Sequence, residues 1–400
     1  MVKFSWQIGS LSRKSNARTG YITTPHGVIK TPAFIFCATK AALKSITTTD
    51  AKKIGTQIIL SNTYHLMLQP GSKLVADHGG LHKFMNWKGP LLTDSGGFQI
   101  FSLGHGSVSD EIKGRRNKPE RNKSLLKIDE EGALFKSYLD GKNHLLSPEK
   151  SIQIQRNLGA DLILVFDECT PFNVDKTYTE KSMQRSHRWA RRSLNSFNSK
   201  LNYNPRYGSS GEQRLYGIVQ GGVYEDFREE SIEFNLNHTD VFGIAIGGSL
   251  GSSKEEMYNV VNFTGNKLGA NHPIHLLGIG DPKDIWSLVR AGIDTFDCVS
   301  PTRLARHGAA LMKTKVGKIN IKNSDCKNDL LPIDQNCNCT TCGNYSKSYL
   351  HHLFKSDELL GFQLLTVHNI NFMNSLMLYI RNAINDDNLI AAEKEWYTDN

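Results

Sequence analysis

The chain has 400 residues, of which 39% are hydrophobic and 22% charged, with 34 glycines. That mixture excludes disordered, collagenous and coiled-coil chains, and the length suits either two or three domains or one (β/α)8 barrel carrying insertions. Lysine and arginine number 48 against 39 aspartates and glutamates, a net charge of +9, which fits either a basic soluble enzyme or a protein with a polyanionic partner.

Taken in chain order, the first ten residues lack the apolar run of a signal peptide. Residues 21–34 (YITTPHGVIKTPAF) read as a β-hairpin turned at His26-Gly27. Eight short apolar runs, at 33–37, 57–60, 90–93, 162–166, 215–219, 241–246, 274–279 and 293–296, have the composition of buried parallel strands. Helical stretches lie between most of them. Ser147 and Pro148 predict the N-cap and first residue of one helix; Asp281 and Pro282 lead into another that closes at Gly292. Alternation of strand and helix eight times predicts an α/β fold, a (β/α)8 TIM barrel with an N-terminal hairpin; an open doubly wound sheet is the alternative that periodicity leaves standing. The apolar run at 162–166 is too short to span a bilayer, so no membrane partner is expected.

Two stretches read as insertions. Residues 111–127 hold seven Lys/Arg against two Glu and predict a basic loop, and 199–213 is rich in Gly, Ser, Asn and Pro. Between these, Arg185–Arg192 (RSHRWARR) reads as an amphipathic surface helix with Trp189 buried, in preference to an RNA stacking platform.

Polar and glycine residues follow the strand runs: Ser61-Asn62, Asp94-Ser95-Gly96-Gly97, Asp167-Glu168-Cys169, Gln220-Gly221-Gly222, Gly247-Gly248, Gly280-Asp281 and Asp297-Cys298. Barrel enzymes assemble their sites at this end of the strands. Asp94 and Asp297, on two strands, are the residue types for an attack on an anomeric carbon with separate handling of the leaving group's proton. Asp167 and Gln220 supply an acceptor and a mixed donor–acceptor suited to the edge of a heterocycle. Thr302-Arg303-Leu304-Ala305-Arg306 places two arginines where they reach phosphates or base edges, or simply face solvent.

The seven cysteines make a poor disulfide framework, being odd in number, with three crowded at Cys337, Cys339 and Cys342. Three thiolates so spaced converge on one tetrahedral metal, with His351, His352, His368 or Cys326 as the fourth ligand. Reduced thiols and the missing leader point to a cytoplasmic protein.

Several of these segments together resemble the tRNA-guanine transglycosylases (queuine tRNA-ribosyltransferases) of bacterial type. They are Thr93-Asp94-Ser95-Gly96-Gly97-Phe98-Gln99, Ser61-Asn62-Thr63-Tyr64-His65-Leu66, Phe166-Asp167-Glu168-Cys169-Thr170-Pro171, Gly217-Ile218-Val219-Gln220-Gly221-Gly222, Phe296-Asp297-Cys298-Val299 with Pro301-Thr302-Arg303, and the cysteine cluster followed by His368-Asn369. The likeness runs from about Gly20 to about Arg381. It implies a barrel domain over 1–320, with barrel elements resuming after a zinc insert, and a zinc-binding subdomain with C-terminal helices over 321–400. One structural Zn2+ would be held by Cys337, Cys339, Cys342 and His368. The implied reaction replaces the wobble guanine of tRNAs with GUN anticodons, those for Asp, Asn, His and Tyr, by a 7-deazaguanine.

By the same resemblance Asp297 is the nucleophile on ribose C1′ and Asp94 the general acid/base. The base would be held by Ser95, Gly96, Gly97, Asp167, Gln220, Gly247 and Gly248 between Phe98 and Leu277. The anticodon loop would lie on Gly278, Ile279, Gly280, Asp281, Pro282, Lys283 and Asp284 and on Thr302, Arg303, Leu304, Ala305 and Arg306. A homodimer is implied as well, and a non-catalytic tRNA-binding subunit of the same fold is the alternative. The family's Gly-Gly-Leu stretch with a following glutamate is here Gly247-Gly248-Ser249-Leu250-Gly251-Ser252-Ser253, so the glutamate position falls on Ser253 or shifts to Glu255. Both 7-aminomethyl-7-deazaguanine and queuine therefore stand as incoming bases. Phe36-Cys37-Ala38-Thr39 departs from a common Pro-Val-Gly-Thr.

Overall fold

A computed structural model describes residues 3–100, 124–172, 174–199 and 212–397. The eight apolar runs become eight strands: β4 (Ala33–Cys37), β5 (Ile59–Ser61), β6 (Leu91–Thr93), β10 (Leu162–Leu164), β11 (Arg214–Val219), β12 (Gly243–Ile246), β13 (Ile274–Leu276) and β14 (Thr295–Cys298). They pair in parallel, each with the next in chain order, and β14 closes on β4 with Thr295 opposite Ala33 and Asp297 opposite Ile35. The closed barrel is the predicted one, and the open sheet is excluded.

Strand ends differ from the predicted runs for identifiable reasons. The run at 274–279 stops at Leu276 because Gly278 turns at φ +75°, a conformation that favours glycine. Gln57 precedes β5 rather than joining it: its side-chain amide accepts from Lys30 N at 2.8 Å and donates to Lys30 O at 3.2 Å, which spends it on the N-terminal sheet.

That sheet corrects the predicted hairpin. Strands β1 (Ser5–Leu11), β2 (Arg18–Thr24) and β3 (Gly27–Thr31) form an antiparallel three-stranded sheet. The turn falls on Pro25-His26, Gly27 already belongs to β3, and Ala33-Phe34 belong to the barrel. β1 escaped notice because its side chains are mostly partly or fully exposed and so lack a clean apolar alternation. The sheet is anchored through Arg18, which pairs with Asp294 at 2.6 Å, both side chains buried, and donates to Gly269 O and His272 O.

Most of the predicted basic loop, up to residue 123, lies outside the described residues, as do residues 200–211 of the second insertion. The end of the basic stretch, expected as loop through Lys127, instead enters a sheet: β7 (Leu125–Ile128), β8 (Ala133–Lys136) and β9 (Asn143–Leu146), antiparallel in that order. Gln213, also assigned to loop, is buried and donates to Ala160 O at 2.6 Å.

The helices follow their local signals. Ser147 Oγ accepts from Lys150 N, Pro148 opens the helix Pro148–Leu158, and Gly159 ends it at φ +71°. Asp281 caps Pro282–Arg290 through Lys283 N. In Lys176–Asn198, Trp189 is 1% exposed and stacks on Phe166 at 4.8 Å, so the RSHRWARR run is the amphipathic helix expected of it.

After the barrel come β15 (Ala309–Leu311) and β16 (Lys318–Asn320), then the short helices Thr340–Asn344 and Lys347–Lys355. They pack around a small core of Ile321, Ile333, Leu350, Leu353 and Phe354. The 27-residue helix Leu359–Asn385 serves both cores: Leu364 and Leu365 face the small one, while Ile370, Met373, Leu376 and Ile380 face the barrel. Each such side chain contributes about 1.5–3 kcal/mol on burial. Among the described residues no helix is long and apolar enough to cross a membrane.

Candidate active site

The barrel's parallel strands deliver their C-terminal residues to one rim, and four predicted polar residues meet there. Asp297, on β14, accepts from Gly278 N at Oδ1 (2.9 Å), with His275 Nε2 3.3 Å from the same oxygen. Its Oδ2 faces the Cys37 thiol at 3.7 Å. Burial, reinforced by the Asp297 carboxylate, pushes the Cys37 thiol well up, so it stays protonated and serves as a weak donor.

Asp94 follows β6. Its Oδ1 accepts from Thr63 N at 2.8 Å, and its Oδ2 accepts from the Asn62 amide. Asn62 can do this because its own Oδ1 caps the next helix, accepting from His65 N at 2.9 Å, which leaves Nδ2 aimed at the carboxylate. Burial pushes the Asp94 carboxyl up to about 7, with the Asp297 charge adding to the rise and the bonds from Thr63, Asn62 and Gly96 opposing it. A carboxyl poised there both gives and takes a proton near neutrality.

Asp167, after β10, accepts from Ser95 Oγ (3.1 Å) and Gln220 Nε2 (2.7 Å), and burial pushes it up to about 6 against those two bonds. Gln220 is fully buried and its Oε1 has no hydrogen-bond partner, an acceptor whose desolvation a ligand donor would offset. The glycines around it are there for clearance. A Cβ on Gly97 would stand 2.5 Å from Asp167 O, and one on Gly248, whose φ is +75°, 2.4 Å from Gln220 Oε1. Gly247 packs against Leu277, whose Cδ1 would be 3.5 Å from an added Cβ. Gly96 turns at φ +89°, and Phe98 is 46% exposed.

Four further residues contribute; Asn62 and Thr63 stand out in the sequence only as members of the segment Ser61–Leu66, and Arg228 and His275 not at all. Asn62 and Thr63 hold Asp94. Arg228, 1% exposed, donates to the carbonyls of Val219, Gly222, Gly247 and Ser249 and so pins both Gly-Gly turns; burial pulls its guanidinium down to about 9. His275 interrupts the apolar β13, and that interruption is the one signal the sequence offers for it. Glu168, beside Asp167, turns away to Arg185 and to the Tyr178 hydroxyl (2.7 Å).

The residues expected to contact RNA divide. Gly278, Asp281, Lys283 and Arg303 are exposed, and Ile279, Pro282, Leu304 and Arg306 partly so. Gly280, Asp284, Thr302 and Ala305 are buried; Asp284 binds Lys254 Nζ and Tyr258 OH at 2.6 Å each, and a Cβ on Gly280 would meet Cys298 at 2.3 Å. Gly278 commits its N–H to Asp297. Neither candidate for the displaced glutamate forms part of this cluster: Ser253 caps the helix Lys254–Leu268 by accepting from Glu256 N, and Glu255 is exposed. Glu256 accepts from Ser252 N at 2.8 Å, completing the cap.

At the second centre, Cys337, Cys339, Cys342 and His368 place their ligand atoms within 4.8 Å of one another. His368 Nδ1 lies 3.8, 3.8 and 3.3 Å from the three sulfurs, close to the ~3.6 Å edge of a tetrahedron with metal–ligand arms of about 2.0–2.3 Å. His368 Nε2 donates to Leu311 O at 2.8 Å, which fixes Nδ1 as the ligating nitrogen. The other fourth-ligand candidates are spent elsewhere: His351 Nδ1 on Ile321 O, Cys326 on Asn320 O, and His352 faces solvent. These four residues can therefore hold a metal ion, and a redox dithiol is a poorer description of them. A further trio, His26, His82 and Asp161, sits at the opposite end of the strands. Its two rings stack at 3.5 Å and 15°, so their in-plane lone pairs do not converge on one ion.

The sequence model of the family described as queuine tRNA-ribosyltransferase matches residues 13–400. A queuine tRNA-ribosyltransferase of Roseiflexus sp. (strain RS-1) is 47% identical over 385 residues, covering 96% of each chain. Those of Protochlamydia amoebophila (45% over 387 residues, 97% of each chain) and Halothermothrix orenii (45% over 383 residues, 96% of this chain and 94% of the relative) are similar throughout. By that match over nearly its whole length, and with two coupled aspartates on the barrel rim and a Cys3His cluster in the C-terminal appendage, the chain belongs to the queuine tRNA-ribosyltransferase family.

Proposed function

We propose that this chain is a tRNA-guanine transglycosylase that exchanges the wobble guanine of GUN-anticodon tRNAs (Asp, Asn, His, Tyr) for a 7-deazaguanine through a covalent Asp297–ribose intermediate. One observation carries the reading: Asp94 and Asp297 share a rim and an electrostatic coupling, and Asp94 is held near pH 7. One carboxylate is thereby available to attack C1′ while the other protonates the departing guanine and later takes the proton of the incoming base. Asp167, Gln220 and Ser95 would bind the base edge, with Gly247, Gly248, Gly96 and Gly97 allowing close approach and Phe98 and Leu277 flanking it. A base inside an RNA loop must be flipped out to reach such a rim. The exposed Lys283 and Arg303, within a net charge of +9, support an anticodon-loop partner.

The non-catalytic subunit is the poorer reading because both aspartates and the base-edge pair are present and mutually positioned. With no carboxylate in place of the missing glutamate, the pocket floor offers no counter-charge to the ammonium of 7-aminomethyl-7-deazaguanine, which supports admission of queuine alongside it. The metal is proposed to be one structural Zn2+, since four protein ligands leave no open position; bound there, it would fix the fold of the appendage. A homodimer and a cytoplasmic setting complete the proposal, the latter supported by seven cysteines of which none forms a disulfide.

Release of labelled guanine from tRNA-Tyr by queuine or by the aminomethyl base tests both reaction and preference. Asp297→Ala should abolish the covalent tRNA adduct seen on a denaturing gel, and an adduct that persists would refute the assignment of the nucleophile.

A further inference from the structure

The two oxygens of Asp297 have unlike surroundings. Oδ1 receives the Gly278 N–H at 2.9 Å and has His275 Nε2 at 3.3 Å; among the described residues Oδ2 has only the weak Cys37 thiol at 3.7 Å. His275 sits on β13 opposite Thr295 in the parallel register, its side chain 1% exposed. Its Nδ1 lies 3.0 Å from the Thr295 hydroxyl, and its buried Nε2 makes no hydrogen bond among the described residues, with Asp297 Oδ1 3.3 Å away. We infer that His275 is a positioning residue for the nucleophile: backed by Thr295 and working with Gly278 N–H, it holds Oδ1 and leaves Oδ2 as the oxygen presented to ribose C1′.

The ring's protonation supports this from either direction. If the Thr295 hydroxyl donates to Nδ1, the neutral imidazole carries its hydrogen on Nε2, the nitrogen on the Asp297 side. If the ring is doubly protonated, Nε2 still carries one. Only the Nδ1–H tautomer would set a lone pair against the anion, and the carboxylate opposes it. At 3.3 Å the two atoms are within reach, but the N–H is not yet directed at Oδ1, so a small ring rotation is needed to close the bond, as is common in unliganded sites before the reacting complex aligns them.

The inference rests on the nucleophile reading above and adds a division of labour within one carboxylate. In the first half-reaction the Oδ2–C1′ bond forms as the glycosidic C1′–N bond breaks. The bonding pair leaves with guanine, Asp94 supplies the proton, and Oδ1 becomes the ester's carbonyl oxygen. In the second, Asp94 takes the proton from the incoming base, its nitrogen bonds to C1′, and the Oδ2–C1′ pair returns to the carboxylate. The donors on Oδ1 are in place to stabilise that returning charge. Cys37, the weakest donor, is on the oxygen that must be vacated.

The experiment compares wild type, His275→Phe, His275→Gln, Thr295→Val and Asp297→Ala for adduct formation and for steady-state exchange of labelled guanine. Phenylalanine keeps the ring's volume without a donor, and glutamine keeps a donor near the Nε2 position. His275→Phe should lower kcat about 10- to 100-fold with the KM for tRNA within about twofold. His275→Gln should recover most of that loss, and Thr295→Val should lower kcat less than His275→Phe does. Wild-type kcat in His275→Phe would overturn the inference, as would equal losses in the Phe and Gln variants. If His275→Phe fails to fold, the ranking of wild type, His275→Gln and Thr295→Val decides: full activity of Thr295→Val with a defective His275→Gln would overturn it. Wild type forming no adduct would instead overturn the nucleophile reading itself.

Discussion

Replacing Asp94 with asparagine should kill exchange and yet make the protein relatively more stable as the pH rises. In the folded chain the Asp94 carboxyl ionises at about 7, whereas in the unfolded chain it ionises near 3.9. The folded state therefore holds a proton that the unfolded state has already lost, so this group lowers stability progressively from about pH 4 to about pH 7 and by a constant amount above that. Between pH 5 and pH 8 a fully sealed carboxyl with these values would cost about 2–3 kcal/mol. Asp94 is only partly shielded from solvent, so about 1–2 kcal/mol is the expected size. Asparagine has no such titration. Its amide would meet the Asn62 amide donor to donor, at a cost of about 1–3 kcal/mol, but that cost does not change with pH.

The quantity to measure is thus a double difference: urea unfolding of wild type and Asp94→Asn at pH 5 and at pH 8. Asp167, pushed up to about 6, titrates in both proteins and cancels. The stability of the variant relative to wild type should rise by about 1–2 kcal/mol from pH 5 to pH 8. A relative stability that stays flat, or that falls, would refute the claim that Asp94 is a carboxyl held protonated by its surroundings.

Gly248→Ala brings a Cβ to 2.4 Å from Gln220 Oε1 at a backbone φ of +75°; it should reduce kcat/KM for the incoming base by about tenfold or more, a loss of ~1.4 kcal/mol in transition-state binding, and unchanged base kinetics would remove Gln220 from the pocket. His368→Ala should release the metal, read by elemental analysis, and lower the melting temperature of the appendage; full metal content would mean that His351, His352 or Cys326 can move in as the fourth ligand. In the same measurement wild-type protein should contain one zinc per chain, and another metal would correct the proposed identity.

The barrel was legible because its strands are buried on both faces and therefore read as unbroken apolar runs, with polar residues gathered just past their ends. Asp94, Asp167, Gln220 and Asp297 stood out for that reason. β1 and the β7–β9 sheet did not, because each has much of its surface in water and carries no apolar run. Arg228 and His275, and the role of Asn62, escaped for a different reason. Their partners are fixed by the register between strands, as when His275 falls opposite Thr295 and thereby reaches Asp297, and linear spacing does not encode that register. The fourth metal ligand shows the same limit: spacing left four candidates, and the tertiary hydrogen bonds of His351 and Cys326 together with the solvent exposure of His352 reduced them to His368.

The long helix Leu359–Asn385 has a consequence for biosynthesis. It supplies Ile370, Met373, Leu376 and Ile380 to the barrel's core and packs on β1, β2 and β4, among the first elements to be made. About 350 residues separate β4 from the end of that helix. At ribosomal speeds of about 5–20 residues per second the nascent chain waits roughly 20–70 s for it. Through that interval the outer faces of the early strands stand uncovered, which makes the emerging polypeptide a natural client for chaperones until its last long segment docks.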